Sequence, residues 1–331
     1  MKNMNKIWMA ILLIALISGC KKSSASGDKA TIDSKSSFRV IGYMSADNVS
    51  DGTALSFDFS RINYLNIAFV NPDQDGNFSA LAGLDKVVAA AHAKNVKVLV
   101  SIGGGSAPAY YTSLLADGTR AGVINNIVQF MSDNQLDGVD VDLEGALIDN
   151  NYEAFISGLS AALKPNSKLL TAAIATAYQS QYSDSALALM DFVNVMSYDK
   201  TGPWDPSNPG QHSPYNMAVS DLDYWTNTRG IPKAKLNLGV PFYGYGFGTN
   251  APSSISYGDI VAQYPGAENT DSVTVNGGGI IYYNGIPTIQ NKTTLALKNA
   301  GGIMMWQLMQ DASGDKSLLN AINATISSAS K

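Results

Sequence analysis

The sequence predicts a closed (β/α)8 barrel, and three observations support this fold. From residue 38 onward, short β-rich runs alternate with stretches of helical periodicity. Alternation of this kind is typical of βαβ units and a parallel sheet, and eight units in about 290 residues suit a closed barrel. No Gly-x-Gly-x-x-Gly turn follows the first strand, which disfavours an open doubly wound sheet, the structural alternative.

The predicted elements follow one another in regular order. The β-rich runs that predict strands span residues 39–44, 62–70, 96–101, 136–144, 169–175, 192–198, 236–243 and 302–308. Helical patterns occupy residues 84–94, 121–134, 152–163, 184–190, 218–229, 289–299 and 316–327. Residues that end helices support these limits, for example Asn95, Pro165 and Gly230.

One interval is longer than a single helix requires. Between Tyr243 and Gly302 lie 58 residues. Residues 272–275 and 279–283 are β-rich and separated by glycines, which predicts a small hairpin. We therefore expect a short insertion between strands 7 and 8, with no sequence repeat and no second domain.

The N-terminal residues predict export and anchoring. Lys2 and Lys6 precede an apolar run at residues 7–17, which is too short to span a bilayer and has the layout of a secretory signal peptide. The small residues before Cys20, the only cysteine, resemble a bacterial lipoprotein processing box. That resemblance implies cleavage before Cys20 and its acylation, so the protein would cross the inner membrane and stay lipid-anchored to the cell envelope. A plain signal peptide cleaved nearby is the alternative.

These features divide the chain into a signal peptide at residues 1–19, a flexible polar tether at 20–37 and a globular domain at 38–328. The composition, 45% hydrophobic and 15% charged, is that of a globular enzyme. A net charge of −5 argues against nucleic acid as a partner. We expect a monomer.

The fourth predicted strand carries the most informative pattern. Side chains on a strand alternate between its faces, so three acids share one face: Asp140, Asp142 and Glu144. Apolar residues fill the other face: Val139, Val141 and Leu143. Neighbouring acids would lie roughly 6–7 Å apart, and at least one should hold a proton near neutral pH. A calcium site or a solvated edge strand is the alternative, but calcium loops need turns and intervening glycines.

This strand resembles the D-G-x-D-x-D-x-E signature of glycoside hydrolase family 18, the chitinases and endo-β-N-acetylglucosaminidases. Residues 101–104, 196–199 and 301–306 resemble three further motifs of the family, S-x-G-G, M-x-Y-D and G-G-x-M-x-W. The motifs fall in the right order along the predicted strands. The resemblance covers about residues 38–310.

The resemblance implies retaining hydrolysis in which the 2-acetamido oxygen of the substrate is the nucleophile. Glu144 would be the general acid and then the base. Asp142 would orient the acetamido group, Asp140 would share a proton with Asp142, and Tyr198 would hydrogen-bond the acetamido oxygen. Asp137 is interpreted as structural.

The resemblance also implies a binding site for sugars that contain N-acetylglucosamine, without cofactor or metal. Its predicted substrate-binding residues lie at the strand ends: Tyr43, Phe69, Gly103, Gly104, Met196, Asp199, Tyr243 and Trp306. His92 and His212 are not interpreted as a metal pair.

Three positions depart from the family pattern. Gly105 and Gly145 stand where many chitinases have aromatic residues, and Tyr245 stands where the family often has arginine. The bond-breaking residues are unchanged, but weaker binding to crystalline chitin is expected. Trp204, Tyr215 and Trp225 are candidates for the missing aromatic surface.

Three functions remain. The first is cleavage of β-1,4 bonds next to N-acetylglucosamine in chitin or chito-oligosaccharides. The second is an endo-β-N-acetylglucosaminidase acting on N-glycans. The third is a lectin-like barrel without turnover, which the presence of Glu144 disfavours, because family 18 lectins typically lack this acid.

Overall fold

The computed structural model describes residues 38–329, and its centre is a closed barrel of eight parallel strands. The predicted signal peptide, tether and Cys20 lie outside the described residues. The barrel strands are β1 (Arg39–Ser45), β2 (Tyr64–Ala68), β3 (Lys97–Gly103), β4 (Gly138–Asp142), β5 (Leu169–Ile174), β6 (Phe192–Val195), β7 (Leu236–Pro241) and, after the insertion, β12 (Gly302–Trp306). The strands follow one another around the barrel in chain order, and β12 closes it between β7 and β1. The predicted (β/α)8 barrel is confirmed.

Helices connect the strands and cover the barrel. They are α1 (Ala46–Ser50), α2 (Leu84–His92), α3 (Tyr111–Leu114), α4 (Arg120–Asp133), α5 (Tyr152–Leu163), α6 (Asp184–Leu189), α7 (Tyr215–Asp223), α8 (Tyr257–Gln263), α9 (Ile286–Asn299) and α10 (Leu318–Ala329). Within residues 38–329, no helix combines the length and the apolar character needed to cross a membrane.

The apolar face of β4 explains how the barrel is covered. Val139 and Val141 are fully buried and belong to the large hydrophobic cluster that includes Ile127 of α4 and Phe155 of α5. A second, smaller cluster fills the inside of the barrel and consists of Ile41, Tyr43, Ala68, Phe192, Tyr198, Tyr243 and Met304. The alternation of side chains on each strand therefore separates a helix-covered outer face from an inner face.

The register of the strands places polar residues side by side on that inner face. Asp140 of β4 lies opposite Ser101 of β3 on one side and Thr171 of β5 on the other. Asp142 lies opposite Gly103. The carboxyl ends of these parallel strands point to the same end of the barrel, which is where (β/α)8 enzymes carry their active sites.

Several element limits differ from the prediction. The acidic strand ends at Asp142, and Glu144 lies beyond it in extended backbone, with φ −124° and ψ 150°. The second strand is shorter in the structure than predicted. The helix predicted at residues 218–229 begins earlier, as α7, and continues into a π-helical turn, Tyr224–Thr228. Hydrophobic patterns do not mark where backbone pairing stops, so limits are the least certain part of such predictions.

The insertion is larger than the predicted hairpin. Its strands are β8 (Tyr243–Phe247), β9 (Ile255–Ser256), β10 (Ser272–Thr274) and β11 (Ile280–Tyr282), in a sheet of order β10-β11-β8-β9. The predicted hairpin is present as the antiparallel pair β10 and β11, which then pairs with β8. We assigned Tyr243 to strand 7, but the chain leaves the barrel at Phe242 and β8 begins a second sheet.

Candidate active site

The acids of β4 lie together at the carboxyl end of the barrel. Asp140 is completely buried, Asp142 is nearly so, and Glu144 is partly exposed in a cleft of about 550 Å³. Asp142 and Glu144 line this cleft, whereas Asp140 lies below it. The row therefore descends from the cleft into the barrel interior.

Asp140 is surrounded by hydrogen-bond donors. Its Oδ2 accepts from the hydroxyls of Tyr43 at 2.6 Å and Ser101 at 2.8 Å. Its Oδ1 accepts from the hydroxyl of Thr171 at 2.5 Å and from Asn194 Nδ2 at 3.4 Å. Burial raises the pKa of Asp140, and these hydrogen bonds act in the opposite direction by favouring the charged form.

Asp142 has a very different environment. Its Oδ1 is buried without a hydrogen-bond partner among residues 38–329. Burial, followed by the charges of Glu144 and Asp140, raises the pKa of Asp142 well above its usual value. The sharing of a proton between Asp140 and Asp142 stays a prediction, and no hydrogen bond joins these two carboxyl groups in the described part of the chain. The oxygens of Asp140 are occupied by neutral donors instead.

The pKa of Glu144 is also raised, first by burial and then by the negative charge of Asp199. Two like charges close to each other disfavour double ionisation, so protonation of Glu144 and of Asp142 is linked. A protonated glutamic acid at the edge of an open cleft can donate its proton to a bound molecule.

Residues after β6 form the opposite side of the cleft. Tyr198 and Asp199 line it together with Met196. Burial and the charge of Asp142 raise the pKa of Tyr198 well above its usual value, so its hydroxyl keeps its proton. Asp199 accepts a 2.5 Å hydrogen bond from Tyr243 and lies 3.3 Å from His212 Nδ1.

Aromatic rings make the floor of the cleft. Trp306 and Phe69 are stacked, with ring centroids 5.4 Å apart and planes inclined by 27°. Tyr43 contacts the same indole edge-on at 5.5 Å. A flat apolar surface of this size suits the face of a sugar ring.

Two glycines allow β3 to approach this floor. Gly103 has φ +103°, and a Cβ there would collide with the carbonyl oxygen of Asp142. Gly104 has φ +91°, and a Cβ there would collide with the ring of Phe69. Glycine is the residue that adopts these angles without strain.

Three predicted substrate-binding residues do not line the cleft. Tyr43 is 1% exposed and donates its hydroxyl to Asp140, and Tyr243 is buried and donates its hydroxyl to Asp199. Gly104 lies behind Phe69. These three residues support others that face the cleft. The predicted residues that do line it are Phe69, Gly103, Met196, Asp199 and Trp306.

One of the three residues predicted to form an aromatic surface for the substrate is wrong. Trp225 is fully buried, and its Nε1 donates to Thr176 Oγ1 at 3.0 Å, so it cannot contact a polymer. Trp204 is 60% exposed and meets the ring of Tyr245 edge-on at 5.3 Å. Tyr215 is also exposed.

Several residues that line the cleft were not expected from the sequence, namely Asn71, Ser106, Ala175, Ala177 and Tyr178, and Tyr245, noted only as a departure from the family pattern, lines it too. Asn71 holds Gly103 by both backbone groups, accepting from its N–H at 2.7 Å and donating to its carbonyl at 3.0 Å. Tyr178 follows β5, where an aromatic residue at a strand end was the available signal. His212 was not assigned to the site from the sequence, whereas its Nδ1 lies 3.3 Å from Asp199 Oδ1.

Asp137 and His92 lie away from this site. Asp137 accepts a hydrogen bond from the backbone N–H of Val98 at 2.9 Å and is paired with His92 and Lys97. This arrangement fits the structural role that the sequence indicated for Asp137.

Comparison with known proteins gives one family. The model of the family "Glycosyl hydrolases family 18" matches residues 39–311. A GH18 chitinase from the chitin utilization locus of Flavobacterium johnsoniae is 36% identical, with a TM-score of 0.81, over 88% of this chain and 94% of that one. A chitinase structure from Bacteroides thetaiotaomicron is 29% identical, with a TM-score of 0.74, over 88% and 97%.

Curated relatives also match this chain. A chitinase-like effector of Moniliophthora roreri is 26% identical over 248 residues, which are 64% of this chain and 60% of that protein. The chain thus spans less than two thirds of the length of this relative.

Proposed function

The chain belongs to glycosyl hydrolase family 18 and is a chitinase-like glycoside hydrolase, and we propose that it cleaves β-1,4 bonds next to N-acetylglucosamine in chitin or chito-oligosaccharides. The observation that carries this proposal is the position of Glu144, whose carboxyl group faces a cleft between an aromatic floor and Tyr198. The Flavobacterium chitinase, which comes from a chitin utilization locus, supports the choice of polymer.

The sugar on the non-reducing side of the scissile bond lies over Trp306 and Phe69. Its 2-acetamido group points toward Asp142 and the hydroxyl of Tyr198, which keeps its proton because its pKa is raised. Tyr198 donates this proton in a hydrogen bond to the acetamido oxygen. The hydrogen bond holds that oxygen below the anomeric carbon, and such positioning replaces an unfavourable bimolecular encounter.

In the first step, the acetamido oxygen attacks the anomeric carbon while the bond to the leaving oxygen breaks. Glu144 donates its proton to that oxygen, and the leaving sugar departs as an alcohol. The bound sugar becomes a cyclic oxazolinium ion, whose positive charge is shared with the acetamido nitrogen. Asp142 keeps its own proton, and its unpaired oxygen accepts a hydrogen bond from the acetamido N–H, which stabilises the charge.

In the second step, the ionised Glu144 removes a proton from water, and the resulting nucleophile opens the oxazolinium ion. Two inversions at the anomeric carbon leave its configuration retained. Asp140 does not touch the substrate. Its four donors favour the ionised form, and its negative charge helps to raise the pKa of Asp142, which therefore keeps its proton in the resting enzyme.

Product analysis on two substrates tests this proposal. N-acetylated chitotetraose and a high-mannose glycopeptide are incubated with equal amounts of the enzyme, and the products are identified by mass spectrometry. Cleavage of chitotetraose is expected. Exclusive cleavage of the glycopeptide would favour an endo-β-N-acetylglucosaminidase, and tight binding without any cleavage would favour a lectin-like protein.

We also propose that Cys20 anchors the protein to the cell envelope, on the residues that precede it in the sequence. The full chain is expressed in a bacterium that processes lipoproteins, and membranes are separated by centrifugation. Wild-type protein should remain with the membranes, and Cys20→Ser should be released. Release of both would contradict the anchor.

A further inference from the structure

A completely buried lysine lies outside the cleft, on helix α9. Lys292 is 0% exposed, and its ammonium group donates three hydrogen bonds. Two go to the carbonyl oxygen and the hydroxyl of Ser213, at 2.7 and 2.6 Å, and the third goes to Asn284 Oδ1 at 2.7 Å. A buried charge is costly unless its hydrogen-bonding capacity is filled, and here three N–H groups meet three acceptors.

Ser213 links this lysine to the active site. It lies in the loop that leaves the carboxyl end of β6 and leads to α7. Its hydroxyl donates a 2.6 Å hydrogen bond to the carbonyl oxygen of Ser197. Ser197 immediately precedes Tyr198 and Asp199. Lys292 is therefore connected through Ser213 to the segment that carries both residues.

A second connection runs through the residue before Ser213. His212 is fully buried, with its ring nitrogen Nδ1 3.3 Å from Asp199 Oδ1. Its carbonyl oxygen accepts from the N–H of Lys200 at 2.9 Å. The beginning and the end of the loop are therefore joined to each other where Lys292 binds.

The charged groups around Lys292 are Asp221 on α7 and Asp271 before β10. Asp221 accepts a 2.6 Å hydrogen bond from the hydroxyl of Ser197, so it holds the same segment from another side. Burial lowers the pKa of Lys292 to about 7, and both aspartates act against this shift. Only the protonated amine can serve all three acceptors.

We propose that Lys292 is a positioning residue, which holds Ser213 and through it the segment 197–199, so that Tyr198 and Asp199 stay in place for the substrate. This inference rests on the proposed function, because Tyr198 must meet the acetamido oxygen of the sugar. Displacement of a reacting group by about 1 Å lowers turnover by on the order of a hundredfold. Among residues 38–329, Lys292 does not line the cleft and makes no hydrogen bond to a carboxylate.

The test compares Ser213→Ala with Ser213→Thr. Alanine removes the hydroxyl that joins Lys292 to Ser197, and threonine retains it. With N-acetylated chitotetraose, kcat of Ser213→Ala should fall about tenfold or more while KM changes less than about threefold, and Ser213→Thr should recover most of the loss. Lys292→Met should lower kcat at least as far, if the variant folds.

Thr293→Val is the matched control. Thr293 is the next residue of α9, is equally buried and bonds only within its helix, to the carbonyl oxygen of Ile289 at 2.7 Å. Its substitution disturbs the same helix without touching Ser213. We expect kcat per folded molecule to stay within about twofold of the wild-type value.

Hydrogen exchange provides a readout without substrate. Backbone amides of residues 197–213 should exchange faster in Ser213→Ala than in Thr293→Val. If Ser213→Ala keeps wild-type kcat per folded molecule and wild-type exchange, the proposal is wrong. If the wild-type enzyme does not cleave chitotetraose, the proposed function fails, and the exchange measurement alone decides whether Lys292 holds this segment.

Discussion

The hydroxyl of Tyr43 donates a 2.6 Å hydrogen bond to Asp140 Oδ2, directly below the cleft. The ring of the same tyrosine contacts Trp306 at 5.5 Å, so it joins the buried carboxyl group to the aromatic floor. We expected Tyr43 to contact the sugar, but it holds Asp140 and Trp306 in place instead. Beside its hydrophobic cluster, the barrel interior therefore contains a hydrogen-bonded polar layer below the aromatic floor.

Removal of this hydroxyl should destabilise the fold. Tyr43→Phe leaves a buried carboxyl group with one donor fewer, and hydrogen bonds to charged groups contribute about 2 kcal/mol. The free energy of unfolding, measured by urea denaturation, should fall by about that amount. Tyr152→Phe is the control, because Tyr152 is equally buried and its hydroxyl has no hydrogen-bond partner among the described residues. Equal losses in the two variants would contradict the role given to Tyr43.

Glu144→Gln should abolish turnover and keep binding. The amide fills the same space but cannot donate or accept the proton, and general acid–base catalysis contributes about a thousandfold. kcat should fall by at least that factor, while calorimetry detects binding of chitotetraose. Glu153→Gln, at an exposed position of α5, should behave as the wild type. Near-normal turnover of Glu144→Gln would show that Glu144 is not the general acid.

The pH dependence should respond to Asp199. Its negative charge raises the pKa of Glu144, so the proton needed for catalysis is retained to higher pH. Asp199→Asn removes the charge, lowers the pKa of Glu144 and should move the alkaline limb of kcat/KM to lower pH. Asp117→Asn, whose side chain is 91% exposed, should leave the profile unchanged. A shift to higher pH in Asp199→Asn would contradict this coupling.

The sequence predicted the barrel and the face of the acids because both depend on local periodicity. A strand period of two determines which side chains face inward, but not how deep they lie. Tyr43 and Tyr243 were expected in the cleft because they lie at predicted strand ends, whereas both are buried, with their hydroxyls bound to Asp140 and Asp199. Trp225 was misjudged for a related reason, since aromatic character alone does not distinguish an exposed ring from one in the core.

Local sequence patterns do not predict contacts between residues that are distant in the sequence. Lys292 and Ser213 are 79 positions apart, and only the packing of α9 beside the loop after β6 brings them together. The same holds for the donors to Asp140, which come from four different strands. The insertion and its hairpin were predicted, but β8 was missed as a separate strand because it alternates tyrosine with glycine, a residue that is uncommon in strands.

The exposed tryptophan should affect long substrates selectively. Trp204 lies beyond the cleft with its ring against Tyr245, where a further sugar unit could stack. Trp204→Ala should raise KM for chitohexaose about tenfold, which is equivalent to about 1.4 kcal/mol. KM for chitobiose substrates should change little. Trp225→Phe, in the core, should alter thermal stability and leave the ratio of the two KM values unchanged. An equal rise in KM for short and long substrates would show that Trp204 does not belong to an extended binding site.

The most direct test of the mechanism changes the substrate and leaves the enzyme intact. Fully de-N-acetylated chitotetraose has the same backbone and the same β-1,4 bonds as the acetylated tetramer, but lacks the amide oxygen. Because that oxygen is the proposed nucleophile, cleavage should fall below detection, although Trp306 and Phe69 can still contact the sugar rings. The acetylated tetramer, assayed in parallel, shows that the enzyme preparation is active. If the de-N-acetylated tetramer were cleaved at a comparable rate, the nucleophile would be an enzyme carboxylate or an activated water instead of the amide oxygen. For a carboxylate, mass spectrometry would detect a glycosyl ester, with Asp142 the nearest candidate.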